Sequence, residues 1–381
     1  MIPCKEFLST LQQNGVEYFF GVPDSLLKSF CAYVTDNVQK DRHIITANEG
    51  AAIGLAAGVY LSTKKPALVY MQNSGQGNAV NPLISLADNK VYSIPMLLLV
   101  GWRGEPGTKD EPQHIKQGEI TLKLFDTLDI PYKILSADWD DDSRQIINQI
   151  CKTINDTNSP YALIVRKETF EPYKIQSIQP DCDELLSREN AIEIVIQTIQ
   201  EFVSNAVLVS TTGMISRELY EIRIKNKEGG ASDFLTVGSM GHASAIALGI
   251  AKNCLERLVI CLDGDGAALM HMGTLATIGT EGTENFKHII LNNGAHDSVG
   301  GQPTCGLKIN FCAIASACGY KKTWKVESQQ MLQFAVREMM QTKGPSFIEI
   351  HVKKGARHDL GRPKFTPIEN KQNLMQFLQI Y

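Results

Sequence analysis

Short runs of aliphatic and β-branched residues alternate along the chain with longer stretches in which apolar residues recur every three or four positions. The short runs read as buried strands, and the periodic stretches as amphipathic helices lying against them. In the first half, strands are expected near 18–22, 44–47, 67–72, 96–100, 132–135 and 162–166. In the second half they are expected near 206–210, 235–237, 258–263, 288–292, 321–325 and 347–352. Alternation of this kind implies parallel sheets covered by helices on both faces. The fold class expected is therefore α/β, with two similar doubly wound parallel-sheet domains and no third domain between them. At 381 residues the chain exceeds the usual single core. The division expected is 1–170, a Pro-, Gln- and Asp-rich linker over 171–186, and 187–381.

The two halves share a local pattern. The helix after the second strand carries small residues four apart, Gly50, Gly54 and Gly58 in one half and Gly241, Ala245 and Gly249 in the other. Each mid-helix glycine costs about 1 kcal/mol relative to alanine. A close backbone approach at a domain or subunit interface would offset that cost. The alternative is tight packing of each helix within its own domain. A further helix is expected over 267–277.

Composition narrows the function only coarsely. Hydrophobic residues make up 43% and charged residues 20%, ordinary values for a soluble globular protein. A net charge of −4 argues against nucleic acid or an anionic membrane as partner. The amino terminus lacks a charged-then-apolar leader, and apolar runs such as 96–100 are far too short to span a bilayer. Nine scattered cysteines without a CxxC pair suggest reduced thiols and a cytoplasmic location. Cys305 stands in a glycine-flanked loop and reads most simply as an incidental thiol.

The chemistry centres on Gly264-Asp265-Gly266, followed after the 25 residues 267–291 by Asn292-Asn293. The pattern combines a carboxylate, flexible backbone that can approach phosphate, and a second oxygen ligand returning at the end of the next strand. Both ligands would sit at carboxyl ends of strands, where open α/β sheets bind ligands. Taken alone, glycine-flanked aspartate is ordinary turn chemistry. Together, the spaced elements resemble the motif of thiamin diphosphate enzymes. The segment Asn48-Glu49-Gly50, opening the small-residue helix, is similar to their catalytic-glutamate segment. Taken alone, Glu49 would only favour a helix amino terminus, worth about 0.3–1 kcal/mol.

The resemblance implies two domains of the thiamin diphosphate-binding fold, a pyrimidine-binding domain followed by a diphosphate-binding domain. It implies thiamin diphosphate and Mg²⁺ as cofactors, with the ion on Asp265, Asn293 and the carbonyl of Ala295. Glu49, Thr212, Gly238, Ser239, Met240, Gly264, Gly266 and Ala267 would contact the cofactor, Met240 as a wedge beneath its rings. The family builds its site from two subunits, so at least a dimer is implied, with the active site at the subunit interface.

The short linker and the absence of adjacent histidines point to the compact branch containing phosphonopyruvate decarboxylase and sulfopyruvate decarboxylase. The strings at 21–25, 73–78, 101–114 and 293–302 resemble that branch over most of the chain. The reaction implied is loss of CO₂ from a small anionic 2-oxo acid, 3-phosphonopyruvate or its sulfonate analogue. Asp24, Ser25, Asn73, Arg103, Lys109 and His114 are the expected substrate contacts. Arg103 would offer a two-pronged grip on the phosphonate. His296, Asp297 and Asp24 join Glu49 as candidate catalytic groups. A nucleotide-dependent oxidoreductase is the rival from another class, but no GxGxxG opens a helix after the first strand.

Overall fold

The computed structural model describes residues 1–176 and 184–379. Strands that are apolar on both faces must be covered on both, which a parallel sheet flanked by helices provides. In the first unit, Met1–Gln179 with Val299–Gln302, six such strands form one sheet. They are β1 (Phe19–Gly21), β2 (His43–Ile45), β3 (Ala67–Gln72), β4 (Met96–Gly101), β5 (Tyr132–Ile134) and β6 (Tyr161–Val165). The order is β2-β1-β3-β4-β6-β5, with every pairing parallel. Alternate residues feed two cores. Leu68, Tyr70, Leu97 and Leu99 pack with Phe7 and Phe30 on one face. Val69, Met71, Leu98 and Val100 pack with Ala52, Ile53 and Phe125 on the other.

The second unit, Pro180–Ser298 with Pro303–Tyr381, repeats the plan. Its strands are β7 (Val207–Ser210), β8 (Asp233–Leu235), β9 (Val259–Gly264), β10 (Phe286–Asn292), β11 (Lys322–Val326) and β12 (Ser346–His351). They run in the order β11-β12-β10-β9-β7-β8, again all parallel. In each sheet the strand order reverses at one point, between β1 and β3 and between β7 and β9. The carboxyl ends there are the usual ligand crevice of such folds.

All twelve expected strands are present, with two local differences. Strand β8 ends at Leu235 rather than continuing to Val237. Beyond it the chain enters a turn in which Gly238, Ser239 and Gly241 have φ of 72°, 44° and 86°, which cannot extend a strand. The single helix expected over 267–277 is two, Asp265–Met270 and Thr274–Glu281. His271 leaves the helical region at φ −131°, ψ 48°, and Gly273 caps the second piece.

Of the expected linker, 177–183 lie outside the described residues. Its first part is anchored to the first unit, where the Tyr173 hydroxyl and the Gln176 amide donate to Asp36 Oδ2 at 3.0 and 2.8 Å. Its last residue, Leu186, bridges to Val352 in the second unit.

The small-residue helices turn only part of their small faces outward: Gly50 packs against Asn78, and Gly241, expected within the second helix, precedes it in the turn against Ala267 and His271. Helix Glu49–Thr63 buries Ala52, Ile53, Ala56 and Ala57. A Cβ added at Gly54 or Gly58 would meet nothing within 4 Å, and Leu61 is 72% exposed. Helix Ala243–Asn253 likewise turns Ala245 and Gly249 outward, with open space over Gly249. Among the described residues no helix is long and apolar enough to cross a membrane.

Candidate active site

In the first unit, Glu49 opens its helix because Asn48 caps it, the Asn48 side chain accepting from the Ala51 amide at 2.9 Å. The Glu49 side chain is 4% exposed. One carboxylate oxygen accepts from Asn78 Nδ2 at 2.7 Å. Burial pushes the acid's pKa above its ordinary value, against the opposing bond from Asn78. Gly75 makes room for this arrangement, since a Cβ there would lie 2.5 Å from Glu49 Cδ.

Asp24, Asn73 and Arg103 follow the carboxyl ends of β1, β3 and β4, so the sheet does bring them together. Their bonding differs from the substrate-binding roles expected for them. Asp24 is fully buried, with Oδ1 accepting from Gln72 Nε2 at 2.7 Å and Oδ2 from the Leu26 amide at 2.9 Å. Asn73 is also fully buried, its Nδ2 donating to the Arg103 carbonyl at 2.8 Å and to Thr121 Oγ1 at 2.9 Å. Both residues spend their polar atoms on building the loop. Most donors of Arg103 are likewise engaged within the loop. Its Nε and Nη2 fork holds Asp110, with Nε at 2.8 Å, and Nη1 donates to Ser25 Oγ at 2.8 Å.

Asp110 is the hub that sequence reasoning missed. It also meets His114 Nδ1 at 2.9 Å and the Gly104 amide at 2.8 Å. Burial opposes its ionisation, yet Arg103, His114 and Gly104 hold its carboxyl well below the usual carboxylate range. Burial lowers the pKa of His114, with Asp110 acting in the opposite direction. Lys109 is exposed. The i,i+4 spacing of Asp110 and His114 at the start of helix Pro112–Thr127 was the available signal.

In the second unit, Asp265 begins a helix directly after β9 and is 2% exposed. Thr304 Oγ1 donates to its Oδ2, and the Asn293 backbone amide bonds to the same carboxylate. Burial raises its pKa to about 6. Among the described residues no cation pairs with it, so the buried acid has no positive partner of its own. Asn293 follows β10, its Oδ1 accepting from the Ala295 amide at 3.0 Å. Gly306 packs directly against the carboxylate, since a Cβ there would lie 2.7 Å from Asp265 Oδ2. Thr304 and Gly306 were not singled out from sequence.

The turn that ends β8 closes on the same place. Thr212 Oγ1 accepts from the Gly238 amide at 3.0 Å. A Cβ at Gly266 would lie 2.9 Å from His296 Cε1 and 3.4 Å from Met240 Cε, so these three residues converge. Gly264 ends β9 immediately before Asp265, and Ala267 lies in the helix that Asp265 opens. Burial lowers the pKa of His296 to about 4. Asp297 does not present a free carboxylate, because its Oδ2 accepts from Arg188 Nη1, Asn293 Nδ2 and the Gly355 amide at 2.7, 2.7 and 2.9 Å.

Elsewhere in this unit, Cys261, Asp263 and His288 bring three potential ligand atoms within 4.8 Å of one another. His288 Nε2 faces Asp263 Oδ2 at 3.5 Å while Nδ1 meets the Tyr320 hydroxyl at 3.0 Å. The group is sealed in the core, and Asp263 Oδ2 and His288 Nε2 make no hydrogen bond there.

Residues 5–125 match the N-terminal TPP binding domain of thiamine pyrophosphate enzymes, and 211–350 match their C-terminal TPP binding domain. A phosphonopyruvate decarboxylase of Streptomyces viridochromogenes is 31% identical, the match covering 99% of this chain and 95% of the relative. One from Streptomyces hygroscopicus is 32% identical over 99% and 94%. A sulfopyruvate decarboxylase of Methanosarcina acetivorans is 27% identical over 93% and 92%. With two thiamine pyrophosphate domains in order and end-to-end similarity to these relatives, the chain belongs to the thiamin diphosphate-dependent 2-oxo acid decarboxylases of the phosphonopyruvate decarboxylase family.

Proposed function

We propose that the protein decarboxylates 3-phosphonopyruvate to phosphonoacetaldehyde and CO₂, using thiamin diphosphate and Mg²⁺, within phosphonate biosynthesis of the 2-aminoethylphosphonate type. The observation that carries this reading is the end-to-end similarity to phosphonopyruvate decarboxylase, 31% identity over 99% of the chain.

The donor set suits the ion. Asp265, the Asn293 side-chain oxygen and the Ala295 carbonyl are all oxygen donors, which a hard divalent cation prefers. A cation would also give the buried Asp265 carboxylate, which is hydrogen-bonded but has no cationic partner among the described residues, the counter-charge it lacks. Gly264, Gly266 and Ala267 would hold the diphosphate, and Thr212, Gly238, Ser239 and Met240 the rings. Bound thiamin diphosphate supplies the electron sink for the pair released when the carbon–carboxylate bond breaks. Glu49, whose burial favours the protonated form, would hold a nitrogen of the pyrimidine ring. His296 is neutral at physiological pH and thus a poor acid, so we assign it a hydrogen-bonding role and the returning proton to water. Asp297 positions its neighbours.

For the substrate tail, Lys109 and the donors left on Arg103 are the candidate cations of the 103–116 loop, with Ser25 beside Arg103. The outward small-residue faces of both helices support self-association, with a site completed by a second copy. The described cysteines carry no disulfide, in keeping with a cytoplasmic enzyme.

CO₂ release from phosphonopyruvate, sulfopyruvate and pyruvate, measured side by side with thiamin diphosphate and Mg²⁺, tests the assignment. Phosphonopyruvate should be turned over fastest, yielding an aldehyde, with no change in nicotinamide absorbance. Faster release from sulfopyruvate would favour the second reading, supported by the Methanosarcina relative. No release from any of the three overturns both.

A further inference from the structure

A buried arginine lies behind the candidate metal ligand Asn293. Arg188 opens helix Arg188–Gln200, yet its side chain is only 5% exposed. Its Nε and Nη2 form a fork onto Glu218, in helix Met214–Lys225, at 2.8 and 2.9 Å. Nη1 reaches Asp297 Oδ2 at 2.7 Å, and Nη2 also donates to the Gly355 carbonyl at 3.2 Å. Burial alone would depress this guanidinium, but Glu218 and Asp297 outweigh it and hold its pKa above the usual value. Only a planar, five-donor head can fork one carboxylate and bond a second in this way, which a lysine cannot.

Burying one cation with two anions is a poor route to stability, because desolvation costs several kcal/mol per ion. The arrangement makes sense through what Asp297 does next. Its Oδ2 takes the Asn293 Nδ2 hydrogen at 2.7 Å, while the Ala295 amide donates to Asn293 Oδ1 at 3.0 Å. Only one orientation of the Asn293 amide satisfies both neighbours. In that orientation Oδ1 keeps one lone pair for a cation, and the nitrogen points away. The three charged side chains also carry a net charge of −1 (one arginine against two carboxylates), which favours a cation nearby.

We propose that Arg188 is a positioning residue for the divalent metal site: through Asp297 it locks the Asn293 side chain with oxygen facing the ion, and Glu218 locks Arg188 in turn. This rests on the reading of Asn293 as a metal ligand. Loss of an outer partner of a metal ligand typically weakens metal binding about 10–100-fold.

The test is calorimetric titration of Mg²⁺ into the full-length protein with saturating thiamin diphosphate. The variants are Asn293→Ala, Arg188→Met and the double substitution. Arg188→Met should raise the Mg²⁺ Kd about 10-fold or more, and change it within about two-fold once Asn293 is alanine. Asp297→Ala carries the same expectations and serves if Arg188→Met does not fold. An unchanged Mg²⁺ Kd in the single variant overturns the proposal, as does an equal loss in both backgrounds, which a general loosening of the fold would produce. If instead the wild type takes up no Mg²⁺, or Asn293→Ala leaves its Kd untouched, the metal-site reading itself fails.

Discussion

Replacing Glu49 by glutamine separates catalysis from stability at one buried position. The amide keeps the shape that lies over Gly75, and its oxygen still accepts from Asn78 Nδ2, so the packing survives. What it loses is a titrating carboxyl. In catalysis, a positioned proton-transfer group contributes about 10²–10⁴ in rate, or ~2.7–5.5 kcal/mol of barrier. The decarboxylation kcat should fall by that factor, while the affinity for Mg²⁺ and thiamin diphosphate stays near the wild-type value.

Stability should move the other way. Burial raises the folded-state pKa of Glu49 above its ordinary 4.5. A carboxyl with a raised folded pKa contributes its full stability below the unfolded value and loses it as pH rises through the folded value. Across that window the wild-type cofactor-free protein should lose ~1.4 kcal/mol per pH unit from this group alone. Glu49→Gln has no such slope, so it should be at least as stable as wild type above the window. Its advantage should shrink as pH falls toward 4.5. The assay is thermal and urea unfolding of both cofactor-free proteins at matched concentration from pH 5 to 8, beside CO₂-release kinetics. A variant with near-normal kcat, or one less stable than wild type at pH 8, would refute the reasoning.

Three further outcomes are expected. Gly306→Ala places a methyl group 2.7 Å from Asp265 Oδ2 and 2.8 Å from Asn292 Oδ1, so Mg²⁺ affinity measured by calorimetry should drop at least ~10-fold; wild-type affinity would show that the carboxylate does not need that opening. Gly54→Leu adds bulk to an outward helix face with nothing within 4 Å, so the folded chain should remain intact while sedimentation shows fewer dimers or higher oligomers; unchanged assembly would remove that face from the interface. Lys287 is 1% exposed and its Nζ donates to the carbonyls of Glu284, Thr342 and Gly344 at 3.1, 2.6 and 2.9 Å, so Lys287→Met should cost about 2–4 kcal/mol in urea unfolding by leaving buried acceptors unpaired; a loss under about 0.5 kcal/mol would contradict this.

Periodicity was enough to locate the strands of both sheets, most directly where a strand buried on two faces is apolar in nearly every residue, as in β4 and β6. Helix interruptions were harder to see. The break at His271 depends on a backbone rotation with no proline to announce it, and the end of β8 on a left-handed turn that includes a non-glycine residue, Ser239.

Chain order alone determined the two-unit α/β plan, the glutamate at a capped helix start, and the aspartate and asparagine that follow neighbouring strands. Those features are local: a residue's own segment and its distance from a turn decide them. Partnership was decided only in three dimensions. Arg103 reaches Asp110 and Ser25, 7 and 78 positions away, and so is a loop-builder before it is an anion receptor. Arg188 reaches Asp297 across 109 positions. Hydrogen bonds act over about 3 Å, and which groups come that close is set by the register of parallel strands and the helices laid across them. A charged side chain therefore announces its chemistry in the sequence, but the fold decides whether that chemistry is already satisfied or still free to meet a ligand.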